Sequence, residues 1–216
     1  MSRQNQLFIK HILDRILALA LLLAAIPVWV IIIVAIKRED GGPVFFCQER
    51  IGEHCKIFTI YKFRTMIVDA DRFLDSNGRV LKKDRVTKVG RVLRFLSLDE
   101  TPQLLNIIKG EMSIIGPRPM LPALFERLSH DQQKKRMTMR PGVTGLAQIH
   151  GRNTLKWSQR IEYDIQYAEN YSLKLDLIIL LKTVKVVLFR EGIVVDRNPE
   201  QVDDLPPTQI RDHKEP

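Results

Sequence analysis

Cysteine and aromatic residues are scarce in this chain. Two cysteines, Cys47 and Cys55, cannot build a disulfide framework, so reduced thiols are the default reading. His54 beside Cys55 leaves too few ligands for a zinc site. Aromatic residues make up 7% of the 216 residues, and no RNP-like or zinc-finger pattern is present, which argues against a nucleic-acid reader. The chain also has no G-x-x-x-x-G-K-[ST], no G-x-G-x-x-G and no G-x-S-x-G element. The familiar glycine-rich phosphate cradles and the nucleophile elbow are therefore missing. There is no internal repeat.

Positive charge and apolar sequence are abundant. The net charge is +9 with a pI of about 9.7, an excess that suits nucleic acid, anionic lipid or a phosphorylated substrate. Hydrophobic residues reach 45%, enough for one domain with a real core, or one domain with an appendage. Residues Ile16 to Ile36 form an unbroken apolar run, ILALALLLAAIPVWVIIIVAI, of roughly 21 residues, long enough to span a bilayer core. No small-x-small cleavage site precedes Lys37, so a removed signal peptide does not fit. Pro27 stands near the middle of the run and predicts a kink. Arg3, Lys10 and Arg15 precede the run, and Lys37 and Arg38 follow it. The positive-inside rule would keep both flanks in the cytoplasm, which favours a bent, re-entrant helix over a simple span.

Residues 41–66 read as a hairpin. Val44 to Gln48 and Lys56 to Tyr61 are rich in strand formers, and Gly52-Glu53 supplies the turn. Lys62 and Arg64 follow the second strand, as a solvated face or as an anion site. Four cations, Arg85, Lys88, Arg91 and Arg94, precede the pair Asp99-Glu100. That pair stands before a helix predicted over 103–109, with Pro102 suited to its first position and Gly110 to its stop. Ser97-x-x-Glu100 is a capping box, an ordinary structural reading of the same residues. The alternative is that helix-terminal N–H groups and Arg94 keep two carboxylates ionised and welcome a phosphate beside them. Arg118, fixed between Pro117 and Pro119, is a candidate for ligand binding, and so is Arg152 beside Gly151. Helices are predicted over residues 120–139 and 154–170.

Residues 173–189 form a second apolar segment. Lys174, Lys182 and Lys185 share one side of it, which suits either an interfacial helix on anionic lipid or an ordinary core helix. Asp176 falls on the apolar side and needs a partner, either a salt bridge or a ligand. Four prolines and many charges from Asn198 onward predict a flexible tail. The divisions are thus 1–40 as a membrane helix with its flanks, 41–197 as a folded domain and 198–216 as the tail. The fold class is α+β and mostly helical: the membrane helix, a small hairpin, and amphipathic helices around a compact cytosolic domain.

Four stretches, KFRTM (62–66), DRVTKVGRVLR (84–94), SLDETPQLLNIIKGEMSIIGPRP (97–119) and RPGVTGLAQIHGRN (140–153), closely resemble the bacterial sugar transferases. These are small monotopic phosphoglycosyl transferases, and the likeness covers about residues 8–190. The resemblance implies transfer of a phosphosugar from a UDP-sugar to undecaprenyl (polyprenyl) phosphate with release of UMP. It implies Mg²⁺ as cofactor, held at Asp99 and Glu100. Asp99 would be the nucleophile that carries a covalent phosphosugar, and Glu100 its partner in metal binding or proton handling. Lys62, Arg64, Arg94, Arg118, Arg152 and Asp176 would serve substrate binding. The family's N-terminal helix is re-entrant and broken at a Ser-Pro pair. Here that pair is Ile26-Pro27, with the proline kept and the hydroxyl gone. The implied location is the cytoplasmic face of the bacterial inner membrane, with membrane lipid as a partner, no nucleic acid, and a homo-oligomer compatible with the pattern. The competing class is a basic, membrane-tethered protein that only binds nucleic acid or anionic lipid. UMP release separates the two. The sequence does not name the sugar.

Overall fold

The structure is a computed structural model in which residues 2–70, 85–151, 154–188 and 202–207 are described. Its first element, α1 (Arg3–Asp40), starts at Ser2, whose hydroxyl accepts from Asn5 N–H, and stops at Gly41 in the left-handed region. A left-handed stop favours glycine because no Cβ crowds the preceding carbonyl. α1 is long and apolar enough to cross a bilayer by length and composition. It is helical throughout, so the break expected at Ile26-Pro27 is not an interruption of the helix. Only the hydrogen bond to the Leu23 carbonyl is lost, because Pro27 has no N–H to donate.

α1 does not project away from the rest of the protein. A stripe spaced by three or four residues faces inward. Lys10, Asp14, Ala18, Ile32 and Ile36 on it are buried. The remaining faces are apolar and exposed, with Leu23 59% and Ile31 69% accessible. Both ends are fastened to the same body. Near the start, Arg3 donates to the Ala168 carbonyl at 2.6 Å, and Ser113 Oγ meets Asp14 at 2.5 Å. At the end, Glu39 accepts from the N–H groups of Lys88 and Val89 at 2.6 and 3.0 Å, and Asp40 pairs with Arg64. Pro27 is exposed on the outer face of α1, away from the buried stripe.

The expected hairpin is β1 (Phe45–Ile51) with β2 (Ile57–Phe63), antiparallel from Phe45↔Phe63 to Ile51↔Ile57. Its turn is wider than Gly52-Glu53 alone. A single 3₁₀ turn, Glu53–Cys55, carries His54 and Cys55 at positive φ. α2 (Lys88–Leu96) is capped by Thr87 Oγ1 and ends on Ser97 in the left-handed region. Ser97 therefore closes α2 and does not form the expected capping box with Glu100. α3 (Gln103–Lys109) has Pro102 as its N-cap and Gly110 as its left-handed stop. Asn106 is fully buried and joins α3 to the hairpin: Nδ2 donates to the Thr59 carbonyl at 2.7 Å, and Oδ1 accepts from Tyr61 N–H at 3.2 Å.

β3 (Ser113–Ile115) pairs in parallel with β4 (Gly142–Thr144). Between them the expected long helix is two short ones, α4 (Pro122–Phe125) and α5 (His130–Arg136), separated by Ser129, which forms a capping box with Gln132. α6 (Leu146–Ile149), α7 (Trp157–Glu169) and α8 (Leu173–Leu188) complete the chain. α8 exposes Leu177, Ile178, Leu181 and Val184 together with Lys174, Lys182 and Lys185 while burying Ile179, so apolar side chains and lysines share its outer face. α1 contributes to two of the hydrophobic cores, Ala18 with Phe58, Ile60, Ile107 and Met112, and Ile32 and Ile36 with Phe63 and Leu93.

Within the tail, residues 202–207 are described. Val202 is buried, Arg127 grips Asp203 through two bonds of 2.7 Å, and Ser158 Oγ reaches Asp204 at 2.5 Å. Bidentate guanidinium–carboxylate contacts hold this short segment. The rest of the tail, the Asn77-Gly78 turn and Arg152 lie outside the described residues.

Candidate active site

The Asp99–Glu100 pair is positioned from three sides. The end of β2 holds it from behind, where Phe63 N–H donates to the Asp99 carbonyl at 2.9 Å. The turn into α3 closes with Thr101 N–H on the Leu98 carbonyl and Gln103 N–H on the Glu100 carbonyl. From α1, Trp29 Nε1 donates to Thr101 Oγ1 at 3.1 Å.

Two cations converge on one oxygen of the pair. Lys62 Nζ lies 2.6 Å and Arg118 Nη2 3.1 Å from Glu100 Oε1. Burial works against ionisation of Glu100, but Arg118 and Lys62 outweigh it and draw the carboxyl down to about 2. Asp99 shifts the other way. Burial, and then the charge of Glu100, raise it above the ordinary aspartate value, against the pull of Lys62 and Arg94. This corrects the expectation that its surroundings would lower it. Desolvation and a like charge next door exceed the cationic field. The two adjacent carboxyls thus have different characters: Glu100 is a fixed anion, and Asp99 is the one whose charge is loosely held.

Both acids open on a cleft of about 1880 Å³. Its polar wall includes Lys62, Arg91, Arg94 and Arg118. Its apolar wall includes Phe45, Phe46, Phe95, Leu96 and, from α1, Leu21 and Ala25. The volume exceeds an ordinary small-molecule pocket of about 300–1,000 Å³, and the mixed lining offers space for a charged and an apolar ligand together.

Lys62 and Arg118 contact Glu100, and Arg94 lines the same cleft. Arg94 Nε donates to Thr65 Oγ1 at 2.9 Å, which steers its guanidinium along the cleft. Arg64 reaches the cleft wall, but its donors go to Asp40 and to the carbonyls of Pro43 and Met66, so it ties α1 to the hairpin. Asp176 does not line the cleft. It is buried against Lys10 Nζ at 2.8 Å and Tyr167 OH at 2.6 Å, in a network that also holds Asp14. The partner its position demanded is a salt bridge to α1. The sequence reading gave no site role to Arg50, Gln148 or Asp164, which also line the cleft. Gln148 stands inside one of the four motif stretches, the signal that could have drawn attention to it.

Comparison with known proteins agrees with this geometry. The model of the family described as bacterial sugar transferase matches residues 5–190. The chain belongs to that family. This bacterial sugar transferase is 44% identical over 188 residues to the uncharacterized sugar transferase EpsL of Bacillus subtilis, covering 87% of this chain and 91% of EpsL. It is 42% identical over 197 residues to the exopolysaccharide production protein ExoY of Sinorhizobium fredii, covering 85% and 87%. It is 38% identical over 206 residues to the undecaprenyl-phosphate galactose phosphotransferase of Salmonella typhimurium, covering 89% of this chain and 43% of that longer protein.

Proposed function

We propose that this sugar transferase moves a sugar 1-phosphate from a UDP-sugar to undecaprenyl phosphate, releasing UMP, as an opening step of exopolysaccharide or other glycan assembly. The family match and the names of the galactose and glucose phosphotransferases among its relatives support the reaction class. The observation that carries the reading is the asymmetry of the pair. Glu100 is locked by Lys62 and Arg118, while Asp99, less strongly held as an anion, opens on a cleft walled partly by α1.

In this reading an Asp99 oxygen attacks the sugar-bearing phosphorus. The bond from that phosphorus to the bridging oxygen breaks, UMP leaves with the electron pair, and an aspartyl phosphosugar remains. A phosphate oxygen of the lipid acceptor then attacks the same phosphorus, and the Asp99 carboxylate departs. Lys62, Arg94 and Arg118 offset the charge crowding of the diphosphate. For Mg²⁺, the Asp99 carboxylate and Glu100 Oε2 are the oxygens suited to share the ion with substrate phosphates, since both cations already meet Oε1. When bound, the ion would neutralise diphosphate charge during attack.

α1 then serves as a helix that enters and leaves one leaflet, with both ends at the cytoplasmic face. Supporting this are the ties at both ends to one body and the apolar outer faces between them. The outer face of α8, shared by apolar side chains and lysines, suits the same surface. The acceptor phosphate would reach Asp99 at headgroup depth.

The test is intact mass after incubation with UDP-sugar and Mg²⁺ in the absence of acceptor. One phosphosugar should add to the wild type and none to Asp99→Asn. Steady UMP release without an adduct under single-turnover conditions would exclude Asp99 as nucleophile. Cysteines placed at residues 4 and 39 should label from the same side; labelling from opposite sides excludes re-entry.

A further inference from the structure

Buried polar atoms without a hydrogen-bond partner are uncommon in a folded protein, because each costs about 1–3 kcal/mol. Among the described residues, four such side-chain atoms occur: Nε of Arg50, Nε2 and Oε1 of Gln148, and Oδ1 of Asp164. They belong to three elements, β1, α6 and α7, yet all three residues line the cleft that holds Asp99 and Glu100. We propose that Arg50, Gln148 and Asp164 form the subsite that hydrogen-bonds the hexose ring of the donor, and so set which sugar is transferred. This rests on the transferase reading given above.

Position favours the sugar. The loop around Arg118 is held by this group from both flanks. Arg50 Nη1 reaches the Pro119 carbonyl at 3.5 Å, while Arg136 Nη2 donates to the Arg118 carbonyl and, at 2.7 Å, to Asp164 Oδ2. Arg118 in turn grips Glu100. Arg50 and Asp164 are therefore tied to the loop that carries the phosphate-binding cation, and Gln148 lines the same cleft.

Chemistry favours it too. Asp164 is 2% accessible and its Oδ1 can only accept while ionised, so a phosphate beside it would be repelled. Arg50 Nε can only donate. The Gln148 amide does both. Sugar hydroxyls donate and accept, so they suit both kinds of atom. A polyprenyl chain would leave them all unpaired. Trp157, with Arg160 stacked at 4.7 Å on its ring, adds an aromatic surface to the same wall. A site built to bond hydroxyls discriminates strongly between sugars that differ in one of them, since the wrong epimer leaves a buried partner unpaired.

The experiment is a panel of UDP-hexoses assayed for UMP release, with inhibition by UMP measured in parallel, on the wild type, the near-isosteric Gln148→Met, and Arg50→Lys, which keeps the charge but removes Nε. The expected result is a loss of about tenfold in kcat/KM for the preferred sugar, a flatter preference across the panel, and UMP inhibition unchanged. If Gln148→Met fails to fold, Arg50→Lys carries the same expectation. UMP inhibition weakened in step with kcat/KM would place the nucleotide there and overturn the proposal. Unchanged kinetics in both variants would mean that water satisfies these atoms, and would overturn it as well. Wild-type protein that releases no UMP from any member of the panel overturns the transferase reading itself, an outcome visible before any variant is made.

Discussion

Trp29, two residues past the proline of α1, donates its indole N–H to Thr101, the residue that follows Glu100. The apolar helix is thus bonded to the turn that carries the acid pair. The indole also meets Phe63 edge-on at 5.3 Å and Phe45 at 6.3 Å, so its ring is packed independently of that bond. Trp29→Phe should keep the packing and lose the bond. A neutral hydrogen bond of about 1 kcal/mol corresponds to roughly a fivefold change, and the expected outcome is a drop of that size in kcat with membrane association intact. Sedimentation with vesicles and UMP release check the two parts separately.

The acid limb of the rate profile should report the Asp99–Glu100 pair. In the proposed mechanism Asp99 attacks as the carboxylate, and it is raised by burial and by Glu100, so activity should fall below a pH that lies above the ordinary aspartate value. Lys62 lowers both acids, so Lys62→Met should move the limb upward. The stability signs are opposite for the two residues. Glu100 is lowered to about 2, so its contribution is present above the unfolded glutamate value of about 4.3 and is lost as pH falls from there through about 2. Asp99 is raised, so its protonated form favours the fold and that contribution is lost as pH rises through its native value. Thermal unfolding of the wild type and Asp99→Asn across pH 3–7 separates them.

Gly90 is where α2 meets the strand end directly. A Cβ there would lie 2.2 Å from the Thr65 carbonyl oxygen and 2.6 Å from its Cα. Backbone cannot yield as a side-chain tip can, so Gly90→Ala should destabilise by about 1–3 kcal/mol. Thr65 also accepts from Arg94, so the same change should weaken binding of the UDP-sugar. Denaturant midpoints and KM are the measurements.

The Lys10–Asp176 pair should matter for stability before chemistry. Removing Lys10 leaves Asp14 and Asp176 buried together, and breaking a buried pair costs about 3–5 kcal/mol. Lys10→Met should therefore lower the midpoint steeply, and Lys10→Met combined with Asp176→Leu should recover part of the loss. Asp176→Asn should reduce stability more than kcat. A kcat collapse in stable Asp176→Asn protein would return Asp176 to the substrate-binding role that the family resemblance implies.

Much of this fold was legible because its signals are local. The hairpin, the Gly110 stop, α7, α8 and the cations flanking Asp99-Glu100 all follow from residue order within a few positions. The failures share a different cause. Asp176 pairs with Lys10, 166 positions away, so no window of sequence could contain the partner. Arg64 looked like an anion ligand until Asp40 arrived from the far end of α1. Ser97 matched a capping pattern, but α2 ends on it, and a residue in the left-handed region closing one helix does not cap the next. The direction at Asp99 depends on how deeply the turn is buried, a tertiary quantity that the neighbouring cations do not reveal.

A tether can usually be cut. In this protein a version beginning after residue 40 would lose Ala18, Ile32 and Ile36 from two hydrophobic cores, Glu39 and Asp40 from the contacts that hold α2 and Arg64, and Leu21 and Ala25 from the cleft. Removing α1 would therefore open the fold and the cleft rather than release an intact domain. Evolution faces the same restriction, since a substitution that adapts α1 to a new lipid must also fit the enzyme's interior.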